Sequence, residues 1–333
     1  MNKNNLVLRA SLTLFSIALL SFNSCKEKKK NEDKSAEETL AVETVDPFFE
    51  LSLAQWSIHR MINDDGVDPY SFAEKAKSWG FSGLEYVSQL YDKELKAANY
   101  SAEAMAAFVE KSNAAADKHG LKNVLIMVDG QGDLATSDKS ARKKAVENHY
   151  KWVDAAAAMG CHSIRVNLSG SDNPEEWVAN SVDGLTGLAT YAKDKNINIL
   201  VENHGGLSSN AAKLAEVMEK VNMENCGTLP DFGNFCIKRN YADDGSWNCE
   251  DQYDIYKGVK ELMPYAKAVS AKSHDFDEEG NETEIDYSRV LQIVKDAGYT
   301  GFIGVEYEGD GMGEEAGIMA TKELLLKAAK DLN

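Results

Sequence analysis

The chain has 333 residues and a formal net charge of −18, from 54 acidic and 36 basic side chains. This acidic excess argues against nucleic acid as a partner, because phosphate backbones are bound by basic protein faces. It suits a protein that stays soluble in the periplasm. Roughly 285 residues remain after the N-terminal segments, which is the usual length of one (β/α)₈ barrel.

Residues 1–24 have the pattern of a secretory signal peptide. Two positive charges, Lys3 and Arg9, precede a largely apolar run over residues 12–22. The run Phe22-Asn23-Ser24-Cys25 resembles a relaxed bacterial lipoprotein box, in which cleavage before Cys25 leaves a lipidated cysteine. An ordinary signal peptide with an incidental cysteine is the alternative. We expect an exported protein that touches the membrane only through its N-terminal lipid, at the outer membrane and facing the periplasm.

Residues 25–46 form a second segment, which follows the signal peptide. They are mostly Lys, Glu, Asp, Ser, Asn and Thr, with little apolar content. Such a composition cannot bury enough surface to offset chain entropy, so a disordered tether is predicted. Residues 47–333 are then expected to form a single domain.

Short runs of β-forming residues alternate with long helical patterns along this domain. That alternation is typical of parallel βαβ construction. Helix-ending glycines stand just before four of the predicted strands, at Gly80, Gly120, Gly160 and Gly298. The strands are predicted at residues 51–58, 83–87, 123–128, 163–168, 198–203, 228–231, 268–273 and 302–307.

The predicted fold class is therefore α/β, as a (β/α)₈ TIM barrel. A doubly wound open sheet is the competing fold. It commonly carries a GxGxxG phosphate-binding turn after its first strand, and the sequence has none there.

Four cysteines lie in the domain, and none of them form a CxxC pair, which excludes a zinc ribbon. Cys161 and Cys226 stand just ahead of apolar strand runs and are predicted to be buried thiols. Cys236 and Cys249 share one predicted polar loop. In an oxidising compartment that pair either forms a disulfide or remains two free thiols.

The candidate site follows from the barrel, since barrel enzymes carry their chemistry at the C-terminal ends of the strands. Glu202, Asp231 and Glu306 end the fifth, sixth and eighth predicted strands. Converging carboxylates repel one another unless a cation lies between them. Oxygen ligands favour Mg²⁺ or Mn²⁺, and an added imidazole favours Mn²⁺ or Co²⁺. A salt bridge from Glu202 to Arg165 is the simpler explanation of the first carboxylate.

Four runs at these strand ends resemble the sugar phosphate isomerase/epimerase family of the xylose-isomerase-like TIM barrel superfamily. The resemblance covers about residues 48–330, and four motifs in the right order are more specific than any one of them. The runs are Leu53-Ala54-Gln55-Trp56-Ser57, Val201-Glu202-Asn203-His204-Gly205-Gly206, Asp231-Phe232-Gly233-Asn234 and Val305-Glu306-Tyr307-Glu308-Gly309.

This resemblance implies one divalent metal held by Glu202, Asp231, Glu306 and an imidazole. The imidazole does not carry over, because related seventh strands often read His-x-Lys, whereas this chain has Ser270-Ala271-Lys272. His274 shares the alternation of these residues. It either replaces the missing ligand or contacts substrate while water completes the metal shell, and a surface histidine without a role is a third possibility.

The resemblance further implies proton transfer next to a sugar carbonyl, through a metal-bound enediolate. Glu202 and Glu306 would be the acid and base, and Lys272 would stabilise the negative charge. Returning the proton gives isomerisation or epimerisation. Expelling a β-oxygen instead gives a 3-keto-glycoside 1,2-lyase or hydratase, which is the first alternative. A non-catalytic sugar-binding lipoprotein is the second.

Other side chains near the strand ends are candidates for substrate binding. Trp56 is suited to stacking on a sugar ring. Glu85 has the alternative role of holding Arg165, and Asp129 and Glu308 also lie at strand ends. We expect the substrate to be a small carbohydrate without a phosphate group, because the acidic run at residues 309–313 would repel phosphate. The substrate-binding candidates are Trp56, His59, Glu85, Arg165, Asn167, His204 and Asn234.

Overall fold

Ten strands occur in the computed structural model, which describes residues 46–332. Eight of them form one parallel sheet, and the other two, β7 and β8, form a separate hairpin. The strands are β1 (Glu50–Ala54), β2 (Gly83–Val87), β3 (Lys122–Val128), β4 (Ser163–Val166), β5 (Asn198–Glu202), β6 (Cys226–Leu229), β7 (Cys236–Tyr241), β8 (Trp247–Gln252), β9 (Val269–Ser273) and β10 (Phe302–Tyr307).

The parallel sheet curls into a barrel, as the sequence predicts. Its hydrogen-bonded order is β6-β5-β4-β3-β2-β1-β10-β9. Isolated bridges from Thr228 to Ala266 and from Asp231 to Ser270 join the two outer strands. The Ser270 amide donates to the Pro230 carbonyl at 2.9 Å, which ties β9 to the chain that follows β6. This seam brings Asp231 and Ser270 together.

The predicted first strand extends too far at its C-terminal end. β1 ends at Ala54, and Gln55–Ile58 form a 3₁₀ helix. The turn is fixed by the buried Gln55 amide, which accepts a hydrogen bond from the Val87 N–H at 3.1 Å and donates to the Tyr91 hydroxyl at 2.9 Å. Trp56 therefore lies in a turn above the barrel and not in a strand.

Ten α-helices surround the barrel within residues 46–332. Ser101, Asp138 and Asn173 cap the N-termini of three of them by accepting backbone N–H bonds. The helices are α1 (His59–Asn63), α2 (Phe72–Ser78), α3 (Asp92–Ala97), α4 (Ala102–His119), α5 (Lys139–Met159), α6 (Pro174–Lys193), α7 (Ala211–Val221), α8 (Ile255–Leu262), α9 (Tyr287–Asp296) and α10 (Glu314–Asp331).

The predicted helix stops are confirmed. Gly120 and Gly160 are left-handed at the C-caps of α4 and α5. Gly80 and Gly298 have positive φ angles just after α2 and α9. Glycine is the residue that adopts this conformation without steric cost, so each helix ends where the next strand must begin.

The strands are covered on both faces. Every residue of β2, β4 and β9 is buried, as expected for a parallel sheet with side chains inside and helices outside. Polar residues in such strands must find partners within the protein. The buried carboxylates and Lys272 described below are the main examples.

The hairpin formed by β7 and β8 is a departure from the predicted polar loop. Its strands are antiparallel, and a disulfide joins Cys236 to Cys249 with a Cα–Cα distance of 5.7 Å. This settles the alternative that the sequence left open. Nearly all of the hairpin side chains are exposed, so the apolar alternation that reveals a half-buried strand is missing.

The predicted signal peptide, and all of the tether except Asp46, lie outside residues 46–332. Export and lipidation therefore stay predictions. Among the helices that the structure describes, none combines the length and apolar character needed to cross a membrane.

Candidate active site

Three carboxylate side chains meet at the C-terminal ends of the barrel strands. Glu202 is the last residue of β5, Asp231 follows β6, and Glu306 lies near the end of β10. One oxygen from each lies within 4.8 Å of the others, and all three residues are buried. The structure thus brings together the three residues that the sequence predicts as metal ligands.

Burial has a marked effect on the acidity of this group. It raises the pKa of Glu202 to about 7 and the pKa of Asp231 to about 7. Arg165 and Lys272 oppose the rise for Glu202, Lys272 opposes it for Asp231, and Glu306 adds to both. Glu202 and Asp231 are therefore only partly ionised near neutral pH unless further positive charge is present.

Lys272, in β9, places its ammonium group among these carboxylates. Nζ lies 3.2 Å from Glu306 Oε1 and 3.7 Å from Asp231 Oδ2, and it donates a hydrogen bond to Glu308. Burial alone would lower the pKa of Lys272, but the surrounding carboxylates raise it well above its usual value. Burial likewise opposes ionisation of Glu308, yet Lys272 lowers the pKa of Glu308 to about 2. Lys272 and Glu308 both stay charged at neutral pH.

Ser270 occupies the position at which the family pattern predicts histidine. Its hydroxyl oxygen lies 2.7 Å from Asp231 Oδ2 and 3.0 Å from Glu306 Oε2. The hydroxyl has a single proton, so it donates to one of the two carboxylates at a time. Ser270 thus links two of the three carboxylates.

Arg165 lies on the other side of Glu202. Its Nη1 donates to Asp129 Oδ1 at 2.9 Å, and its Nε lies 2.7 Å from Glu202 Oε2. Asn167 donates to the same Asp129 oxygen at 2.6 Å. Burial raises the pKa of Asp129, but the Arg165 guanidinium outweighs this effect and lowers the pKa below its usual value. The Glu202–Arg165 ion pair considered as an alternative is therefore present beside the carboxylate group.

The side chains fit a divalent cation. Three carboxylate oxygens are the hard ligands that Mg²⁺ and Mn²⁺ prefer. Glu202 Oε2 is buried and has no hydrogen-bond partner among residues 46–332, despite its contact with Arg165. This oxygen has lone pairs free to bind a cation. Since Ser270 stands where the family pattern has histidine, water or a substrate oxygen would supply the remaining ligands.

A cavity of about 310 Å³ opens beside this group. Four of the seven predicted substrate-binding residues line it, and Asn234 also donates to Glu202 Oε1 at 3.0 Å. The lining consists of Trp56, Val87, Gln89, Asp129, Arg165, His204, Asn234, Arg239, Glu306 and Glu308.

Two predicted substrate contacts lie behind the lining. The His59 ring stacks on Trp56 with ring centroids 4.3 Å apart, and its Nδ1 lies 2.7 Å from the Trp56 carbonyl oxygen. Asn167 faces Asp129, as described above. In this geometry His59 supports Trp56, and Asn167 orients Asp129.

Glu85 is the central residue of β2 and does not lie at the strand end. It is fully buried, and the Ser52 hydroxyl donates to it at 2.5 Å. The proposed pairing with Arg165 is wrong, because the ion pairs of Arg165 are with Asp129 and Glu202. Burial is the main cause that raises the pKa of Glu85 to about 8. Glu85 is therefore a neutral carboxylic acid at pH 7.

His274 is not part of the carboxylate group. Its side chain is exposed, and the group of possible metal ligands within the described residues contains only Glu202, Asp231 and Glu306. β9 ends at Ser273, so the alternation that predicted His274 beside Ser270 and Lys272 does not continue through it. The geometry therefore gives no support to His274 as a metal ligand.

Arg239 is a charged lining residue that the sequence did not indicate. It lies in β7 and reaches the cavity from the hairpin, a segment interpreted as a polar loop. Asp129 and Glu308 were placed at strand ends but given no role. Their roles follow from their contacts with Arg165 and Lys272, which depend on the three-dimensional closure of the barrel.

The chain is an α/β barrel with a buried group of three carboxylates at the C-terminal ends of its strands. Comparison with protein-family models shows which family of barrels it belongs to. The family model described as xylose isomerase-like TIM barrel matches residues 73–328. The chain belongs to this family, which confirms the resemblance drawn from the strand-end motifs. A comparison with curated protein sequences finds no match.

Solved structures are similar over nearly the whole barrel. A D-tagatose 3-epimerase-like protein is 17% identical with a TM-score of 0.61, over 86% of this chain and 98% of that chain. The IOLI protein with a bound zinc atom is 15% identical with a TM-score of 0.60, over 85% and 99%. The 3-keto-D-glucoside 4-epimerase YcjR from E. coli is 14% identical with a TM-score of 0.60, over 83% and 98%. At these identities the likeness shows the fold.

Proposed function

We propose that this protein is a divalent-metal-dependent sugar isomerase or epimerase that moves a proton on the carbon next to a carbonyl. One observation carries the proposal: Glu202, Asp231 and Glu306 lie within 4.8 Å of one another, beside a cavity of about 310 Å³. The family and the named activities of two similar structures, a D-tagatose 3-epimerase-like protein and a 3-keto-D-glucoside 4-epimerase, support it.

Each residue has a role that its position supports. A divalent ion held by Glu202, Asp231 and Glu306 would polarise the carbonyl and acidify the neighbouring C–H bond. Glu202 and Glu306 approach the site from different strands, so one removes the proton and the other returns it. Lys272 stabilises negative charge that develops on the substrate oxygen, because its ammonium is buried and fixed by three carboxylates.

The remaining lining positions the sugar. Trp56 offers a ring face that His59 holds from behind. Asn234 and His204 offer polar atoms for hydroxyl groups. Asp129 and Arg165 orient Glu202 through their ion pair.

Substrate and location are part of the same proposal. The signal-like residues 1–24 and Cys25 favour an exported, lipid-anchored protein, where sugar phosphates are scarce. The cavity is bordered by three carboxylates, Asp129, Glu306 and Glu308, which disfavour a phosphate dianion. We therefore propose a carbohydrate without phosphate as the substrate.

Elimination is a second candidate, because Ser270 replaces the histidine of the family pattern. A site without that imidazole differs from those of the ordinary epimerases that the pattern describes. The same proton abstraction followed by loss of a β-oxygen would make the protein a 3-keto-glycoside 1,2-lyase or hydratase.

Exchange with heavy water tests the proposal. D-Fructose, D-tagatose and 3-keto-glucosides are incubated with the protein and Mn²⁺ in D₂O, and products are read by NMR and mass spectrometry. An isomerase or epimerase returns a sugar that differs in mass only by the label. Elimination releases the aglycone and leaves an unsaturated keto sugar. If neither carbon-bound deuterium nor a released aglycone appears with any of these sugars, the catalytic proposal is wrong and sugar binding alone remains.

A further inference from the structure

Three cationic side chains, Arg165, Lys272 and Arg239, border the cavity or contact the carboxylates beside it. They differ in the number of carboxylates with which each forms ion pairs. Arg165 and Lys272 are each held by at least two carboxylates. Arg239 lines the cavity as well, but within residues 46–332 its guanidinium has neither an ion pair nor a side-chain hydrogen bond. It is therefore the cation that remains available to a substrate.

Arg239 is held in place by the hairpin that carries it. Its guanidinium lies over the Trp247 ring at 4.3 Å from the centroid. In the ladder Arg239 faces Cys249, the disulfide partner of Cys236, so a covalent bond anchors the strand pair three residues before it. A stacked guanidinium on a crosslinked hairpin loses little side-chain entropy when it binds a ligand.

The base of the hairpin is fixed to the metal-binding strands. Asn203, which follows Glu202, donates to the carbonyl oxygens of Asp231 at 2.9 Å and Asn234 at 3.1 Å. Ser209 donates to the same Asn234 oxygen at 2.7 Å. The hairpin starts two residues later, so the position of Arg239 is tied to that of the three carboxylates.

This arrangement selects one kind of ligand. A guanidinium presents two parallel N–H groups that match the two oxygens of a carboxylate. A phosphate dianion carries about twice the negative charge of a carboxylate, and the cavity that Arg239 lines is also lined by Glu306 and Glu308. A singly charged carboxylate facing Arg239, with neutral hydroxyls toward the acidic wall, avoids this repulsion.

We propose that Arg239 is a specificity-determining residue that binds the carboxylate of an acidic sugar, so that the preferred substrates are hexuronates and not neutral hexoses. This inference rests on the proposed function, since it concerns the substrate class of the same site. It assigns a purpose to the disulfide-linked hairpin: to hold one free guanidinium over the cavity.

Matched sugar pairs and matched variants test the inference. D-Fructuronate is compared with D-fructose, and D-tagaturonate with D-tagatose, in binding by calorimetry and in exchange with D₂O. Arg239→Gln removes the charge at the cavity. Lys238→Gln is the control, because Lys238 is on the same hairpin, does not line the cavity, and pairs with Glu250 at 2.8 Å. Both variants change the net charge equally.

The wild type is expected to bind each hexuronate at least about tenfold more tightly than its neutral partner, the typical scale of one charged hydrogen-bonded pair. Arg239→Gln should abolish that preference and raise KM much more for hexuronates than for neutral sugars. Lys238→Gln should retain the preference, and Arg239→Lys should restore part of it. Intact protein mass and the melting temperature check that the disulfide and fold persist.

Equal binding of acidic and neutral sugars by the wild type would overturn the inference, as would equal losses for both sugars in Arg239→Gln. Calorimetry separates this inference from the proposed reaction. Arg239-dependent binding of hexuronates without any deuterium exchange would reject the catalytic proposal and still support the binding site. Deuterium exchange on neutral sugars, without a preference for acidic sugars, would support the catalytic proposal and reject the carboxylate-binding role of Arg239.

Discussion

The Ser270 hydroxyl oxygen lies 2.7 Å from Asp231 Oδ2, across the seam that closes the barrel. The same oxygen lies 3.0 Å from Glu306 Oε2. A serine therefore stands between two carboxylates at the position where the family resemblance predicts a metal-binding imidazole. Because a hydroxyl is a much weaker metal ligand than an imidazole, the hydrogen bonds of Ser270 are its main contribution to the site.

Replacing Ser270 with alanine should destabilise the metal-free protein more than the metal-loaded protein. Without metal, the change leaves buried carboxylate oxygens short of a donor, which costs about 1–3 kcal/mol. With a divalent ion bound, the ion replaces the lost donor. Denaturant unfolding in chelator and in Mn²⁺ measures the two differences. A loss of equal size in both conditions would contradict this role.

Removal of metal should lower the thermal stability of the wild type. A ligand that binds only the folded state adds about 2.7 kcal/mol when its free concentration is 100 times Kd. Glu202→Gln and Asp231→Asn should lose both the bound metal and this stabilisation, as read by metal analysis and melting with and without chelator. Glu74→Gln is the matched control, because Glu74 is an exposed carboxylate on α2 and lies outside the group of three. Metal content unchanged in the first two variants would exclude this site.

Lys272→Met should reduce turnover with little effect on KM. The ammonium is buried among Glu306, Glu308 and Asp231, and removing one such electrostatic contact from a transition state costs about 10²–10³ in kcat. Lys267→Met is the control, since Lys267 lies just before β9, at the opposite end of this strand from the site. Deuterium exchange rates give both values. Retention of at least about half of the wild-type kcat would reject the electrostatic role.

The sequence predicts most of the barrel because local signals repeat in every unit. Each buried strand is a short β-rich run, and glycines such as Gly120 and Gly160 mark the preceding helix ends. Glu202, Asp231 and Glu306 could be predicted as a group, because parallel strands deliver their C-terminal residues to one rim.

Other features depend on long-range geometry that a periodic pattern does not encode. His274 follows the last residue of β9, where the alternation of a strand no longer sets the side-chain direction. Glu85 follows a register shift in β2, so its pairing could not be deduced from spacing. The hairpin that carries Arg239 has mostly exposed side chains and thus no apolar signal.

Glu85 supplies the last prediction, a pH dependence of stability with a definite sign. Burial raises its pKa from 4.5 in the unfolded chain to about 8 in the folded protein. Between these values the folded state binds more protons than the unfolded state, so stability falls as pH rises, by at most about 1.4 kcal/mol per pH unit.

Glu85→Gln keeps an acceptor for Ser52 but cannot ionise. In chelator, the variant should therefore have a shallower slope than the wild type, with Glu202 and Asp231 supplying the slope that remains. It should exceed the wild type in stability at pH 8. The exposed Glu74→Gln on α2 is the control, and denaturant midpoints from pH 5 to 8 measure the slopes. Parallel pH profiles for the wild type and Glu85→Gln would show that Glu85 is already ionised in the fold.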